Sequence, residues 1–288
     1  MSSEASTPLR LPDAAAAPAA STIPAPLTSS THHVETVLWV RHWTDSYFSF
    51  AITRPQSFRF RSGEFVMIGL PGEDGGRPVM RAYSIASPAW AEELEFFSIK
   101  VPGGPLTSRL RDIKAGDQIL LGRKPTGTLV LDAVRPGKRL FLLGTGTGLA
   151  PWLSIIREPD TYERFEQVIV SHGVRQTDDL AYRAYLEREL REDEILGELI
   201  GDKLIYLPTV SRDAFDRKGR ITDHIENGSL FREIGLDRDH FSPEEDRIML
   251  CGSMDMIRDL SKRLEAQGMT EGSNADPGDF VIERAFVG

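Results

Sequence analysis

Residues 81–87 of the 288-residue chain read Arg-Ala-Tyr-Ser-Ile-Ala-Ser, which puts a cation, a large ring and two hydroxyls into one short run. In an extended strand side chains alternate, so Arg81, Tyr83 and Ile85 share one side while Ala82 and Ser84 take the other. A guanidinium can hold a phosphate in a fixed fork, a phenol can lie against a ring, and the Ser84 hydroxyl can hydrogen-bond a ring nitrogen. A flavin nucleotide calls for those three contacts. An edge strand with a surface arginine and a half-buried tyrosine would carry the same residues, so the assignment depends on the rest of the chain.

Two glycine-rich turns add phosphate-binding chemistry. Residues 144–151, Gly-Thr-Gly-Thr-Gly-Leu-Ala-Pro, follow the apolar run 139–143 and open a helical stretch that reaches Ile156. Small residues there let backbone amides approach phosphate oxygens. The turn has neither the third glycine of the dinucleotide fingerprint nor the lysine of a P-loop, so neither standard motif applies. Residues 102–110, Pro-Gly-Gly-Pro-Leu-Thr-Ser-Arg-Leu, run from a turn into a short helix. The amides of Leu106, Thr107 and Ser108 are then free to receive a pyrophosphate.

Further along, strand-end turns at 172–175, 209–212 and 217–220 carry Arg175, Arg212 and Arg220. A 2′-phosphate calls for arginine forks where a plain ribose diol calls for a carboxylate, so these cations favour NADP(H) over NAD(H). Cys251-Gly252-Ser253 ends a strand of the same half. No histidine lies near Cys251 in sequence to generate a thiolate, and it reads as a small packing residue rather than a nucleophile. The six histidines show no metal spacing, so no metal is expected.

The elements that must position these residues change character near residue 137. Residues 35–43, 47–53, 65–70, 80–86, 94–101 and 118–122 are short β-rich runs separated by turns such as 71–72, 74–76 and 115–117. Six such strands predict an antiparallel β-barrel over 31–136. From 137 to 288, apolar runs at 139–143, 167–172, 203–209, 247–251 and 280–286 alternate with helical stretches at 178–200 and 253–267. The second of these has Ser253 as a candidate N-cap and Gly268 as terminator. That alternation predicts a Rossmann-like parallel α/β domain, whose ligands bind at the carboxyl ends of the strands. Residues 1–30, rich in Ala, Pro, Ser and Thr, are expected to be a disordered tail.

Composition limits the function classes. With 40% hydrophobic and 27% charged residues the chain reads as a soluble globular protein. No run of about 18 apolar residues and no secretory leader is present, which predicts a cytoplasmic protein without a membrane span. One cysteine excludes an internal disulfide or a cysteine-ligated cluster, so any iron-sulfur centre belongs to a partner. The net charge of −9 argues against a general nucleic-acid binder. Residues 31–136 hold 13 basic and 11 acidic side chains, net +2, and residues 137–288 hold 20 and 30, net −10. Arg41, Arg54, Arg59 and Arg61 in the first half suit an acidic protein partner, or simply a solvated face.

A barrel with Arg-x-Tyr-Ser followed by Gly-Thr-Gly-Thr-Gly-Leu-Ala-Pro at the opening of an α/β domain resembles the ferredoxin-NADP(H) reductase family over residues 33–288. The ending Val281 to Gly288 is similar to its bacterial branch, where plant-type members finish in a tyrosine. The resemblance implies an FAD-binding barrel and an NADP(H)-binding α/β domain. It makes Arg81, Ala82, Tyr83, Ser84, Phe97, Ile99, Lys100, Leu106, Thr107, Ser108, Thr147 and Phe286 FAD contacts, with Phe286 stacked on the adenine. Gly144, Thr145, Gly146, Gly148, Arg175, Ser211, Arg212, Arg220 and Cys251 then face NADP(H), while Ser84, Cys251 and Ala285 surround the reacting rings. It implies ferredoxin or flavodoxin as electron partner, and a monomer is expected. An NADPH-dependent flavin reductase, a dedicated oxygenase reductase component and a non-enzymatic nucleotide sensor are the alternatives.

Overall fold

The computed structural model describes residues 29–72 and 76–283. Residues 1–28 of the expected tail, residues 73–75 and the chain end with Ala285 and Phe286 lie outside the described residues. Strands β1 (His33–His42), β2 (Tyr47–Thr53), β3 (Phe65–Leu70), β4 (Val79–Ser84), β5 (Glu93–Ile99) and β6 (Gln118–Leu121) form one antiparallel sheet in the order β4-β3-β6-β1-β2-β5. A bridge between Ile85 and Phe96 brings β4 against β5 and nearly closes the barrel. Its interior is filled by Phe48, Phe50, Ile52, Val66, Ile68, Phe96 and their neighbours. Helix α1 (Thr107–Leu110) stands between β5 and β6.

Strands β7 (Arg139–Thr145), β8 (Gln167–Val174), β9 (Leu204–Val210), β10 (Asp246–Cys251) and β11 (Phe280–Glu283) form a fully parallel sheet in the order β11-β10-β7-β8-β9. Both faces are apolar, as a sheet covered on two sides requires. Leu140 and Leu142 enter one core, and Phe141 and Leu143 enter the other. The first core also contains Tyr47, Ala86 and Phe97 of the barrel, so the two halves share one continuous apolar interior. Helices α2 (Ala150–Ile155), α3 (Pro159–Arg164), α4 (Arg183–Glu187), α5 (Leu196–Ile200), α6 (Ile221–Glu226), α7 (Ser229–Glu233) and α8 (Met254–Ala266) connect the strands. None of the helices in the described residues is long and apolar enough to cross a membrane.

One expectation is corrected. Residues 178–200 are not a continuous charge-paired helix but the short helices α4 and α5 with 3-10 turns around them. Tyr182 adopts a left-handed φ of 61° just before α4, and Asp193 Oδ1 accepts from the amides of Ile195 and Leu196 at 2.9 and 2.8 Å to start α5. A charge pattern can be satisfied by solvent, whereas Leu186, Leu190, Leu196 and Ile200 are buried and set the path. Helix α8 follows the expectation, with Ser253 Oγ accepting from the Met256 amide at 3.3 Å and Gly268 at φ 83° beyond its end.

Candidate functional site

Strand β4 lies antiparallel to β3 with Phe65 opposite Ser84, Val66 opposite Tyr83, Met67 opposite Ala82 and Ile68 opposite Arg81. Val66 and Ile68 are buried, so Tyr83 turns toward the barrel interior. Its ring stands edge-on to Phe50 and Phe96 at 6.5 and 6.4 Å, and its hydroxyl accepts from Ser98 Oγ at 3.3 Å. Burial raises the Tyr83 pKa, which keeps the phenol neutral. Arg81 in the middle of the same strand is exposed; its Nη1 donates to the Met80 carbonyl at 2.8 Å and it forms no ion pair with a described residue. Ala82 and Ser84 are half-buried on the other side, and the Ser84 hydroxyl has no hydrogen-bond partner among the described residues.

Beside β4, Phe97 is buried with its ring stacked on Tyr47 at 5.5 Å, and Ile99 is half-buried. Lys100 Nζ donates to the Thr44 carbonyl at 3.3 Å and lines a cleft of about 1100 Å³ between residues 42–46 of the barrel and Gln176, Asp178 and Asp179 of the α/β half. At α1 the amides of Leu106 and Thr107 donate to no described residue. The Ser108 amide differs from the expectation: it bonds the Gly104 carbonyl at 3.1 Å. Two open amides remain at this turn, which suits an anionic oxygen.

On the α/β side the residues 144–148 wrap the end of β7. A Cβ on Gly144 would stand 2.5 Å from Trp152 Nε1, and one on Gly148 would stand 2.4 Å from the Cys251 carbonyl. Close packing therefore requires those two glycines whatever binds the loop. The Ser253 amide donates to Thr145 Oγ1 at 2.8 Å, which ties the loop to the Cys251 turn, and Thr147 is buried. Gly146 has a left-handed φ of 55° and lies beneath the hydroxyl of Tyr47 from the barrel. Cys251 is fully buried, and burial together with the Glu283 carboxyl pushes its thiol pKa well up. An unreactive thiol that packs without bonding matches this environment.

The ends of β8 and β9 gather the arginines. The Ser211 amide donates to the Val174 carbonyl at 3.0 Å and the Arg212 amide to the Arg175 carbonyl at 2.9 Å, so Arg175, Ser211 and Arg212 come side by side. The Gly219 amide returns to the Val210 carbonyl at 3.0 Å, which brings Arg220 back to the same edge at the start of α6. All three arginines are exposed and none forms an ion pair with a described residue, whereas Arg217 in the same loop is paired with Glu233.

One site residue was not singled out in the sequence. Glu283 ends β11 directly opposite Cys251 in the ladder, with its side chain buried between the two halves. Its Oε2 would meet a Cβ on Gly127 at 3.1 Å, in a pocket that also holds the Glu64 backbone and the Phe65 ring. Phe65 is the ladder partner of Ser84. The Thr128 amide approaches, yet neither carboxyl oxygen has a hydrogen bond of ordinary geometry. Burial, then the charge of Glu64, pushes this carboxyl up to about 8. Its signal was an acid placed inside the apolar run Phe280-Val281-Ile282-Glu283, with Ala285 and Phe286 following. No group of three His, Cys, Asp or Glu among the described residues is arranged to hold a metal ion.

The donors suit the expected groups. Among the described residues, an Arg81 guanidinium without an ion pair, two open amides at α1 and an unengaged Ser84 hydroxyl fit a flavin nucleotide, and three arginines without ion pairs fit a phosphorylated ribose.

Residues 41–130 match the family described as oxidoreductase FAD-binding domain, and residues 142–262 match oxidoreductase NAD-binding domain. The chain is 56% identical over 254 residues to a flavodoxin/ferredoxin–NADP reductase of Rhodobacter capsulatus, covering 88% of this chain and 93% of that protein. It is 52% identical over 256 residues to a ferredoxin–NADP reductase of Azotobacter vinelandii, covering 88% and 98%. The fold is similar to a ferredoxin NADP+ reductase from Neisseria gonorrhoeae solved with bound FAD and NADP, with a TM-score of 0.80 at 31% identity over 90% of this chain and 100% of that one.

Proposed function

The chain belongs to the ferredoxin/flavodoxin–NADP reductase family, and from that premise we propose that it exchanges a hydride with NADP(H) and single electrons with ferredoxin or flavodoxin. The observation that supports this reading is that Glu283, the ladder partner of Cys251, is buried against Gly127 and Phe65 of the barrel, and Phe65 is in turn the ladder partner of Ser84. Bound FAD supplies the redox chemistry, because a flavin takes two electrons together and releases them singly.

The chain's own groups do the rest. Arg81 and the open amides of α1 hold the FAD pyrophosphate, and Ser84 hydrogen-bonds the flavin ring. Cys251 offers the nicotinamide a dry, neutral surface. Glu283, still protonated at neutral pH, keeps a donor beside the reacting atoms without adding a negative charge. Arg175, Arg212 and Arg220 attract the 2′-phosphate and favour NADP(H) over NAD(H).

We assign the carrier role to a small acidic protein on the side of the net-positive barrel, and the cytoplasm as compartment, since a free thiol such as Cys251 suits reducing surroundings. We assign a monomer, since the exposed large apolar residues Leu38, Met67, Trp90, Val101 and Met254 stand on separate elements and only Ile195 and Leu199 share one, at α5.

The test is the visible spectrum of the purified protein and its change with NADPH, followed by electron delivery to ferredoxin, flavodoxin and free FMN. A yellow protein bleached by NADPH that reduces either carrier protein is expected. Delivery to free FMN alone would instead establish a flavin reductase, and a yellow protein that NADPH leaves unchanged would establish a sensor.

A further inference from the structure

We propose that His172 is a positioning residue for the nicotinamide nucleotide, acting through the carbonyl of Gly146 to hold the loop 144–148 in its receiving shape. His172 sits near the end of β8, fully buried, with Nε2 at 3.0 Å from the Gly146 carbonyl and Nδ1 at 3.3 Å from the Tyr206 hydroxyl. A carbonyl only accepts, so the proton is on Nε2, and Nδ1 accepts from Tyr206. That pair of partners fixes the tautomer.

Gly146 needs such a hold. Its φ of 55° is open to glycine and strained for other residues, and from the barrel side the Tyr47 hydroxyl would stand 3.1 Å from a Cβ at this position. The loop is thus pinned twice by groups beyond it: the Ser253 amide holds Thr145 and the His172 ring holds Gly146. Burial lowers the His172 pKa to about 4, so the ring stays neutral and the arrangement persists through the physiological range. A charged ring would donate from both nitrogens and leave the Tyr206 proton without its acceptor.

The proposal rests on the reading that this loop receives NADP(H), and the experiment separates the two. Glutamine places its amide nitrogen near the position of histidine Nε2, whereas asparagine is too short to reach the Gly146 carbonyl. In the FAD-loaded protein, titrated with NADP+ and followed by the flavin difference spectrum, His172→Asn should weaken binding about tenfold and His172→Gln should stay within about twofold. Hydride transfer at saturating NADPH should change far less than the dissociation constant, and NADH should be affected in the same proportion, because the 2′-phosphate is held elsewhere. Equal weakening by Asn and Gln, or none by either, would overturn the role of His172. Where the Asn variant fails to fold, Tyr206→Phe gives a second comparison: it removes the donor that steadies Nδ1 and so loosens the ring against the Gly146 carbonyl, it should weaken NADP+ binding several-fold, and an unchanged affinity would overturn the proposal. Gly146→Ala in the same titration isolates the underlying reading, since unchanged NADP+ affinity there would remove the loop from the nucleotide site altogether.

Discussion

Glu283 holds its proton at neutral pH because burial, and then the charge of Glu64, push its carboxyl up to about 8. In the unfolded chain the same group loses its proton near 4.5, so between those values the folded protein binds one proton more than the unfolded one. Stability therefore falls as pH rises from about 5 to about 8 through this group, by an amount on the order of a few kcal/mol at most. Glu283→Gln removes that dependence: its melting temperature relative to the parent should climb across this range, and a constant difference would argue against a proton on Glu283. Hydride transfer at pH 6 should change little if the carboxyl acts as a hydrogen-bond donor, which an amide also provides. The arginines make a second prediction at this scale. Arg212→Ala and Arg220→Ala should raise KM for NADPH much more than for NADH, and equal effects on both would show that the two side chains serve the fold. The arginines were legible in the sequence because exposed cations at strand ends are visible as such. Glu283 was not, because its character comes from Gly127, Glu64 and Cys251, which are distant in sequence.

Among the elements, the start of α4 joins the two halves. Tyr182 is the one described non-glycine residue with a positive φ, and it is buried. Its hydroxyl donates to Glu95 Oε1 at 2.7 Å and accepts from Ser49 Oγ at 2.5 Å, while Glu95 is paired with Arg157 at 3.0 Å. Its ring lies 4.6 Å from Trp43 and 5.4 Å from Phe97. A left-handed tyrosine is held only where its surroundings outweigh the strain. Tyr182→Phe keeps the ring contacts but takes a hydrogen bond from the buried Glu95 and another from Ser49, and should destabilise the FAD-loaded protein to urea by about 1–3 kcal/mol. No loss would mean that water or a rotated Ser49 satisfies these groups.

At the other end of the sheet, Arg139 is bonded to Asp246 and Glu245, and Arg238 to Asp246, all near the starts of β7 and β10. The acids that neutralise Arg139, Arg238 and Arg247 are gathered there. Arg175, Arg212 and Arg220 have no ion-pair partner among the described residues and stand at the carboxyl ends, the side of a parallel sheet where ligands generally bind.

For the molecule as a whole, the barrel half is net positive and the α/β half net negative, but not every barrel arginine is free to meet a partner. Arg54 is spent on the carbonyls of Phe58, Ala89 and Ala91, and Arg61 on Glu64 and Asn274. Arg41 lies over the Trp43 ring and Arg59 bonds nearby backbone carbonyls, and neither forms an ion pair with a described residue. Reduction of ferredoxin or flavodoxin should slow as salt rises, and Arg59→Glu should slow it further at low salt while ferricyanide reduction is spared. A rate that salt leaves unchanged with both carriers would remove the barrel arginines from the docking surface.

The six barrel strands and five parallel strands were legible as patterns because alternation, turn residues and uniformly apolar runs are local consequences of which faces are buried. The glycine-rich turns were legible for the same reason, since glycine and proline constrain the backbone where they stand. Tertiary structure alone decided what those residues became. It assigned Gly144 and Gly148 to packing against Trp152 and Cys251, used the Ser108 amide internally and broke residues 178–200 at Tyr182. It also brought the buried acid of β11 to the barrel strand that faces Ser84. Each of these depends on how the chain folds back on itself, eight residues away for Gly144 and Trp152 and about a hundred for Gly148 and Cys251, or on a hydrogen bond whose partner only the folded chain selects. Periodicity reports which side of an element is buried; it does not report what lies against that side.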